Sequence, residues 1–397
     1  MRLGDGPGLG HLTYCTNIHA GESWPDVLEG LRRHLPAIKE QASPDRPLGV
    51  GLRLSAAAAE ALSAPAAFSD LRSLLNEGPY YVFTINGFPY GAFHGKPVKE
   101  GVYRPDWGDG ARLTYTNRLA DLLADLVPED MQGSVSTVPG TFKPWADGAV
   151  ASITENLIQH AAHLVALRER TGRMITLALE PEPCCFLETV AETIAYFEQH
   201  LFSDAAGARL ADLAGLSRGA AQDALRQHLA VCYDVCHAAV EFEDPRDSIA
   251  RLRAAGIGVA KLQLSCALRI ERVDGATADQ LRSFDEPVYL HQTIARGGNG
   301  LTRYVDLPEA LDRADDSAGA EWRIHFHVPI FLAELKDFGT TQGFLREILS
   351  LHRDSPISQH LEVETYTWDV LPERYRGVDV STAIARELTW VKDLLAQ

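Results

Sequence analysis

The sequence predicts an α/β protein, a (β/α)8 TIM barrel with insertions after strands 3, 5 and 7. Eight short strand-like apolar runs alternate with longer helical stretches along the 397 residues, and no glycine-rich phosphate loop follows an early run. Eight strands that are each followed by a helix describe a closed parallel barrel. A doubly wound open sheet has a similar pattern and remains the alternative, although the missing glycine-rich loop disfavours its dinucleotide-binding form.

The first four strands are predicted at residues 12–18, 48–54, 81–85 and 133–138. Helical stretches follow each of them. The third strand first leads into a long loop, residues 86–110, which is rich in glycine, proline and aromatic residues. Long loops in compact domains often carry function, so this loop is expected to contribute to a site.

The last four strands are predicted at residues 175–179, 229–233, 259–264 and 361–365. A helical insertion reaching residue 227 follows the fifth strand. The insertion after the seventh strand contains a hairpin, with strands at 288–294 and 303–305, and an extended run at 322–328. No internal repeat, low-complexity segment or linker interrupts this order, so we expect a single domain over residues 1–397.

The charge and composition exclude several classes of function. Asp and Glu outnumber Lys and Arg 54 to 37, which gives a formal net charge of −17. Such a chain repels phosphate backbones over long range, so no nucleic-acid partner is expected. No run approaches 18 apolar residues, and the six cysteines show no disulfide spacing. We therefore expect a cytoplasmic protein without membrane insertion. Its expected partner is a small-molecule substrate, and a homodimer is left open.

Acidic side chains stand where several late strands end. Glu180 follows the fifth strand and Asp234 closely follows the sixth, with His237 three residues beyond it; Glu364 belongs to the eighth strand and shares a face with Glu362. The carboxyl ends of barrel strands meet at one face of the barrel, so these groups are expected to converge. A single such glutamate is usually solvated, but several carboxylates buried together require a cation. We predict a divalent metal ion, with Mn²⁺, Zn²⁺, Co²⁺ and Mg²⁺ left open.

The insertion after the seventh strand adds a His-x-His pair. In extended form, Arg323, His325 and His327 share one face. We expect at least one of the histidines to point into the barrel mouth, with His327 as a metal ligand and His325 as a substrate contact. The plainer interpretation is that one histidine packs in the core and the other faces water.

Other polar residues are candidates on weaker signals. His19, Asn86 and His94 lie after the first strand and in the long third loop, and we expect them to contact a substrate. Lys143 follows the fourth strand and could polarise a carbonyl or bind a phosphate. For His94 and Lys143 a solvated loop position is at least as common. A Ser/His/Asp triad is not indicated, because no Gly-x-Ser-x-Gly run is present.

The set Glu180, Asp234-x-x-His237 and Glu364 resembles the xylose isomerase-like superfamily. That superfamily includes sugar isomerases, ketose 3-epimerases and endonuclease IV-type repair enzymes. Its epimerases hold one metal with Glu, Asp, His and Glu from strands five to eight, which implies metal-binding places for Glu180, Asp234 and Glu364. Gln263 stands at the histidine's place, so the resemblance implies either that His327 fills the gap or that the site is altered.

The resemblance also implies a mechanism. Glu180 and Glu364 would face each other across a bound diol and exchange a proton on either face of a carbon, while His237 and Gln263 would contact substrate. Such enzymes are isomerases or epimerases of sugars, sugar phosphates or cyclitols.

A closer resemblance, to the EboE group, rests on residues 14–24, 86–91, 102–107, 325–329 and 362–368. EboE proteins are xylose isomerase-like barrels encoded in bacterial and algal gene clusters linked to trafficking of a secondary metabolite or its precursor. The resemblance implies a small-molecule enzyme in such a pathway. The alternative hypothesis is a non-catalytic partner that binds metal or metabolite during export, which the loss of the seventh-strand histidine favours and the retained carboxylates disfavour.

Overall fold

The computed structural model describes residues 1–4 and 8–397. Eight strands form one parallel sheet. They are β1 (His11–Tyr14), β2 (Leu48–Arg53), β3 (Tyr80–Asn86), β4 (Gly133–Thr137), β5 (Ile175–Leu179), β6 (Leu229–Asp234), β7 (Val259–Leu264) and β14 (His360–Val363). Their order in the sheet is β1-β14-β7-β6-β5-β4-β3-β2. A parallel bridge between Cys15 and Gly51 joins β1 to β2 and closes the barrel. The predicted (β/α)8 barrel is therefore confirmed, and the open sheet is excluded.

Fourteen α-helices are present among the described residues, most of them between successive barrel strands. Ser23 is the N-cap residue of the first helix. Its side chain accepts from the amide of Asp26, and the Asp26 side chain accepts from the amide of Ser23, a capping box that fixes the start of the helix. In chain order they are α1 (Trp24–Ala42), α2 (Ala56–Leu62), α3 (Pro65–Glu77), α4 (Gly110–Leu126), α5 (Val150–Thr171), α6 (Val190–Tyr196), α7 (Asp204–Ala214), α8 (Arg218–His228), α9 (Val235–Val240), α10 (Pro245–Ala254), α11 (Gly275–Leu281), α12 (Leu307–Asp312), α13 (Gln342–Asp354) and α14 (Val380–Leu395). None of the helices in the described part of the chain is both long and apolar enough to cross a bilayer.

The segment between β7 and α13 forms a second, antiparallel sheet. Its strands are β8 (Leu268–Ile270), β9 (Thr293–Gly297), β10 (Gly300–Tyr304), β11 (Glu321–Ile324), β12 (Glu334–Leu335) and β13 (Phe338–Thr340), in the order β10-β9-β11-β8-β13-β12. The long loop after β3 is tied to this insertion, because the amides of Val98 and Lys99 donate to the carbonyl of Val288 at 2.8 and 3.1 Å. The two segments therefore lie together at the carboxyl ends of the strands.

The structure changes the predicted bounds most at the first strand, at the hairpin and at the last strand. The first strand ends at Tyr14, and residues Thr16–Ile18 form a 3-10 turn in which the Thr16 hydroxyl accepts from the amide of Arg53. The hairpin begins at Thr293, five residues later than predicted, because Val288 accepts from the third loop instead of pairing within a strand. The last strand ends at Val363, so Glu364 lies just beyond it.

The run at 322–328 is also not a continuous strand. Strand β11 ends at Ile324, because the amide of Phe326 donates back to the Ile324 carbonyl at 2.7 Å and turns the chain. The side chain of Arg323 donates to the carbonyl of Ala239 at 2.6 Å and lies over the ring of Phe242. The predicted face shared by Arg323 and the two histidines is therefore not formed.

The barrel interior carries a charged pair beneath the strand ends. Lys261 on β7 and Glu362 on β14 form an ion pair, and both side chains are fully buried. The sequence pattern placed Glu362 on the same face as Glu364. In the structure Glu362 instead binds Lys261 and is not part of the carboxylate cluster at the strand ends. Burying two charges together is tolerated only when they neutralise each other, so this pair is a fixed feature of the barrel core.

Candidate metal centre

Three carboxylates meet at the carboxyl ends of the barrel strands. Glu180 follows β5, Asp234 ends β6 and Glu364 follows β14, and one oxygen from each lies within 4.8 Å of the other two. All three residues are at least 95% buried. Glu180 Oε2 and Asp234 Oδ2 have no hydrogen-bond partner among the described residues. Buried carboxylate oxygens without donors are unfavourable unless a cation contacts them.

Neighbouring groups fix the orientation of two of these carboxylates. Asn17 and Asn86 each donate to Glu364 Oε1, at 2.7 and 3.0 Å. Asp234 Oδ1 accepts from the amide of His237 at 2.9 Å and from the hydroxyl of Ser265 at 2.7 Å, so Asp234 also caps the start of α9. One oxygen of Glu364 and one of Asp234 are therefore held by the protein, which is the arrangement expected around a metal ligand.

Burial raises the pKa of all three carboxyl groups. It raises the pKa of Glu180 well above its ordinary range and that of Glu364 to about 8, and neighbouring carboxylates add to both shifts. It also raises the pKa of Asp234, although a nearby His327 and several hydrogen bonds oppose the rise. A divalent ion would reverse these shifts, because it stabilises the charged form.

Three histidines beside the carboxylates are each fixed in one tautomer. The Nδ1 atom of His237 lies 2.9 Å from the carbonyl of Pro181, and that of His327 lies 2.9 Å from the carbonyl of Glu364. His325 Nδ1 lies 2.7 Å from Gln292 Oε1. Each of these partners is an acceptor, so each Nδ1 carries the proton and each Nε2 presents a lone pair.

The three Nε2 atoms converge. His325 Nε2 lies 3.1 Å from His237 Nε2 and 3.1 Å from His327 Nε2. Burial lowers the pKa of His237 to about 3 and that of His327 to about 4, and it lowers the pKa of His325 well below the ordinary value. The three imidazoles therefore stay neutral, with no proton on Nε2, and the lone pairs of the Nε2 atoms repel each other across these short distances. A cation bound between them would turn this repulsion into ligation.

The carboxylates and the histidines form one continuous set. Asp234 has ligand atoms within 4.8 Å of both His237 and His327, as well as of the other two carboxylates. The donor set, with nitrogens of fixed tautomer and unpartnered buried oxygens, fits the divalent transition metals and zinc. The four residues predicted to bind metal, Glu180, Asp234, His327 and Glu364, are thus brought together.

Lys143 and His19 lie away from the candidate centre, whereas Gln263 is the neighbour of Asp234 on the adjacent strand and does not line the cavity. Lys143 forms ion pairs with Glu188 and Glu192 at 2.6 and 2.8 Å and does not line the cavity. His19 stacks on His34 and does not line it either. Gln263 is fully buried inside the barrel, and neither of its side-chain amide atoms has a partner among the described residues.

Asn86 and His325 line the cavity as predicted contacts, and His94 supports its wall. His94 Nε2 lies 2.5 Å from the Asn17 carbonyl, and its Nδ1 lies 2.8 Å from the hydroxyl of Tyr289. His94 therefore supports residues of the cavity without lining it.

Asn17 and Glu182 are site residues that the sequence analysis did not select. Glu182 Oε1 accepts from Tyr103 at 2.7 Å and from Gln292 at 2.9 Å, whereas its Oε2 has no partner in the described part of the chain. Burial raises the pKa of Glu182 to about 7. Both residues lie just after the carboxyl end of a barrel strand, and this position in the sequence could have identified them as candidate site residues.

A cavity of about 510 Å³ opens over this centre. Its polar lining includes Asn17, Asn86, Glu180, Glu182 and Glu364 at the ends of barrel strands, together with His237 and His325. Its apolar lining comes from the loops after β3, β7 and β14.

The chain is only distantly similar to known proteins. No protein-family model matches the chain, and no curated protein matches it in sequence. Among solved structures, the IOLI protein with a bound zinc atom shares 12% identity at a TM-score of 0.45, over 97% of this chain and 98% of that one. The probable 3-DHS dehydratase AsbF from Bacillus anthracis shares 13% at 0.43, over 96% and 97%. The 3-keto-D-glucoside 4-epimerase YcjR from E. coli shares 15% at 0.37, over 70% and 90%. Likeness at this level identifies no activity for this chain.

Proposed function

We propose that the protein is a metal-dependent isomerase or epimerase of a small polyhydroxylated compound: a sugar, a sugar phosphate or a cyclitol. The observation that carries the proposal is the convergence of three buried carboxylates and three histidine Nε2 atoms at the floor of a cavity. In the absence of a cation these groups repel each other, so the arrangement is explained by a bound ion.

Glu180, Asp234 and Glu364 would hold the metal. His327 would supply the nitrogen ligand, because Gln263 stands where the resemblance implies a histidine. A bound divalent cation would supply Lewis acidity, which lowers the pKa of the carbon-bound proton next to a substrate carbonyl. Asn17 and Asn86 keep Glu364 oriented, and His237 and His325 lie at the cavity floor within reach of a substrate hydroxyl.

The proton exchange is better assigned to Glu182 than to Glu180 or Glu364. A substrate carbon placed between two reacting carboxylate oxygens needs about 3 Å to each of them. Oxygens of Glu180 and Glu364 lie within 4.8 Å of each other, which is too close for a carbon between them. Glu182 lines the same cavity with one oxygen held by Tyr103 and Gln292 and the other without a partner. It can therefore hold or move a proton at its Oε2 atom.

Deuterium incorporation tests this proposal. The protein, loaded with Mn²⁺, Zn²⁺, Co²⁺ or Mg²⁺, is incubated in heavy water with ketoses, sugar phosphates and inosose-type cyclitols, and carbon-bound deuterium is measured. We expect Glu182→Gln to stop incorporation while metal content is retained, and Glu180→Gln or Glu364→Gln to lower the metal content itself. Incorporation that persists in Glu182→Gln would move the proton exchange to another group.

A second candidate function is that of a metal- or metabolite-binding partner without turnover. Gln263 favours it, because this buried side chain has no partner among residues 1–4 and 8–397 and amide groups bind transition metals weakly. The resemblance of the sequence to the EboE group fits either function within metabolite traffic. A compound that binds in the cavity of the metal-loaded protein without hydrogen exchange would support the binding function.

A further inference from the structure

The cavity over the candidate metal centre changes its chemical character with distance from the barrel. The strand ends contribute polar groups, whereas the loops contribute apolar residues that we call the wall: Phe88, Phe93, Val102, Tyr289, Leu290 and Tyr366. Three of them form an aromatic cluster, in which the ring of Phe93 lies 5.1 Å from those of Tyr289 and Tyr366, and these two lie 5.0 Å apart.

The wall begins directly at the histidines. The ring of Tyr366 lies 4.6 Å from that of His327, and its hydroxyl lies 3.4 Å from His325 Nε2. The hydroxyl of Tyr289 is bonded to His94 at 2.8 Å. These hydroxyls are thus engaged by protein groups, so a substituent leading outward from the histidines meets ring faces and aliphatic carbons.

The cavity offers no free cation to a phosphate group. Among the described residues that line it, Lys99 is the only lysine or arginine. Lys99 Nζ is already bound by Asp306 at 2.7 Å and by the carbonyl of Glu286 at 3.1 Å. The other charged groups of the lining are the carboxylates of Glu180, Glu182 and Glu364, which repel an anion.

We infer that the substrate of this site is an uncharged α-hydroxyketone or α-hydroxyaldehyde that carries an apolar substituent, and is not a phosphorylated sugar. The inference rests on the proposed function and narrows it: the oxygens of the head bind at the strand ends, and the substituent packs against the wall. Burying apolar groups on apolar side chains is favourable in proportion to the area removed from water.

Hydroxamates of different tails test the inference, because their head chelates a metal in the way a hydroxyketone does. Binding of Co²⁺ alone is measured first, by its visible absorption. The Kd values of acetohydroxamate, benzohydroxamate and phosphonoacetohydroxamate are then measured by titration calorimetry on the Co²⁺-loaded protein. We expect benzohydroxamate to bind at least about tenfold more tightly than acetohydroxamate, and the phosphonate to bind no better than acetohydroxamate. Tighter binding of the phosphonate, or no gain from the phenyl ring, would overturn the inference.

Two variants assign the effect to the wall. Leu290→Asn is nearly isosteric and should remove most of the benzohydroxamate preference while Co²⁺ and acetohydroxamate bind as before. The matched control Leu301→Asn, at an exposed position on β10, should leave the preference intact. Lys99→Gln should not change the affinity for the phosphonate, and a tenfold loss there would show that Lys99 recruits the anion.

Failure of the proposed metal centre can be told apart from failure of this inference. A protein that binds no Co²⁺ refutes the metal-dependent function, and the wall is then tested in crystals soaked with phenol and, separately, with inorganic phosphate. Phenol against Phe93 and Leu290 supports an apolar substituent. An absence of phenol there, or phosphate bound to Lys99, overturns the inference.

Discussion

Each of the three histidines at the barrel mouth has one nitrogen fixed by a protein acceptor and one that faces another histidine. A neutral imidazole has a single proton, and the acceptors beside Nδ1 claim it, so the Nε2 atoms of His237 and His327 each face His325 Nε2 at 3.1 Å as acceptors. His325 Nε2 also has the hydroxyl of Tyr366 at 3.4 Å, which can donate to it. A satisfied structural histidine finds a donor for one nitrogen and an acceptor for the other, whereas facing acceptors favour a cation between them. At the residue scale, this arrangement supports the proposed metal centre.

Replacement of His327 tests this interpretation. We expect His327→Ala to lower the affinity for Zn²⁺ or Co²⁺ by at least about tenfold, the lower end of what changes around metal sites cost. The apo-protein should melt nearly as the wild type does, because the loss of packing is offset by relief of the repulsion with His325. Metal affinity is measured by competition with a chelator, and melting by circular dichroism in excess EDTA.

The matched control is His360→Ala. His360 is buried in the barrel, where its Nδ1 is bonded to the hydroxyl of Ser134 at 2.8 Å. This change should destabilise the apo-protein as a core truncation does, by about 2–5 kcal/mol, and leave the metal affinity unchanged. Equal destabilisation by both changes would identify His327 as structural.

At the scale of elements, Asp234 joins a helix to the candidate metal centre. Its Oδ1 caps α9, whose first turn carries His237, while Oδ2 is left for a cation. Asparagine is as good an N-cap as aspartate, so Asp234→Asn should preserve the stability of the apo-protein within about 0.5 kcal/mol, whereas Asp234→Ala should lower it by about 1 kcal/mol. Both should weaken metal binding. Urea unfolding of both variants with EDTA present checks the first part, and intact metal affinity in Asp234→Asn would contradict the second.

Helix α14 carries a buried carboxyl group, that of Glu387, whose ionisation makes the free energy of unfolding depend on pH. Glu387 accepts from the hydroxyl of Thr365 and the amide of Ile330, and burial raises its pKa from 4.5 to about 7. The folded state therefore keeps a proton between pH 4.5 and 7 that the unfolded state releases, so Glu387 lowers stability as pH rises through this window. Glutamine can accept the same bonds without ionising.

Glu387→Gln should accordingly match the wild type near pH 5 and exceed its stability at pH 8. The difference should grow by up to about 1.4 kcal/mol per pH unit below pH 7, the value for one proton. Urea unfolding at pH 5, 6, 7 and 8 measures it. Glu40→Gln, at an exposed position on α1, is the control and should show no such trend. A pH-independent difference would show that burial does not suppress ionisation of Glu387.

The same scale shows which parts the sequence can predict. The strands at 175–179 and 259–264 are observed with the predicted bounds, because apolar residues alternate with small or polar ones over most of each run. Strands β8, β12 and β13 have only two or three residues, too few to show a period, so only the part of the second sheet formed by the hairpin and β11 could be predicted. Glu364 and His327 could be selected as candidate ligands from their chemistry and spacing, whereas the partners of Lys143 depend on which loops meet in the fold.

At the scale of the whole molecule, the barrel brings together ligands that are far apart in the sequence. Glu180 and Glu364 are 184 residues apart and come from strands separated by two others in the sheet, yet their oxygens lie within 4.8 Å. The two insertions then cover this point with the cavity wall. A bound ion would thus connect β5, β6 and β14 and the insertion after β7, so its binding should stabilise the entire fold.

Metal-linked melting tests this coupling. An ion that binds only the folded state at 100 times its Kd adds about 2.7 kcal/mol, which raises the Tm of a chain of this length by about 3 °C, from an unfolding entropy of about 2.1 cal/mol/K per residue. We expect this shift with Mn²⁺, Zn²⁺ or Co²⁺ and its reversal by EDTA, measured by scanning calorimetry. A net charge of −17 also attracts cations without specificity, but that effect is screened by salt and does not depend on one carboxylate. The shift should therefore persist in 0.5 M NaCl and vanish in Glu180→Gln, and an equal shift in that variant would place the binding on the surface of the molecule.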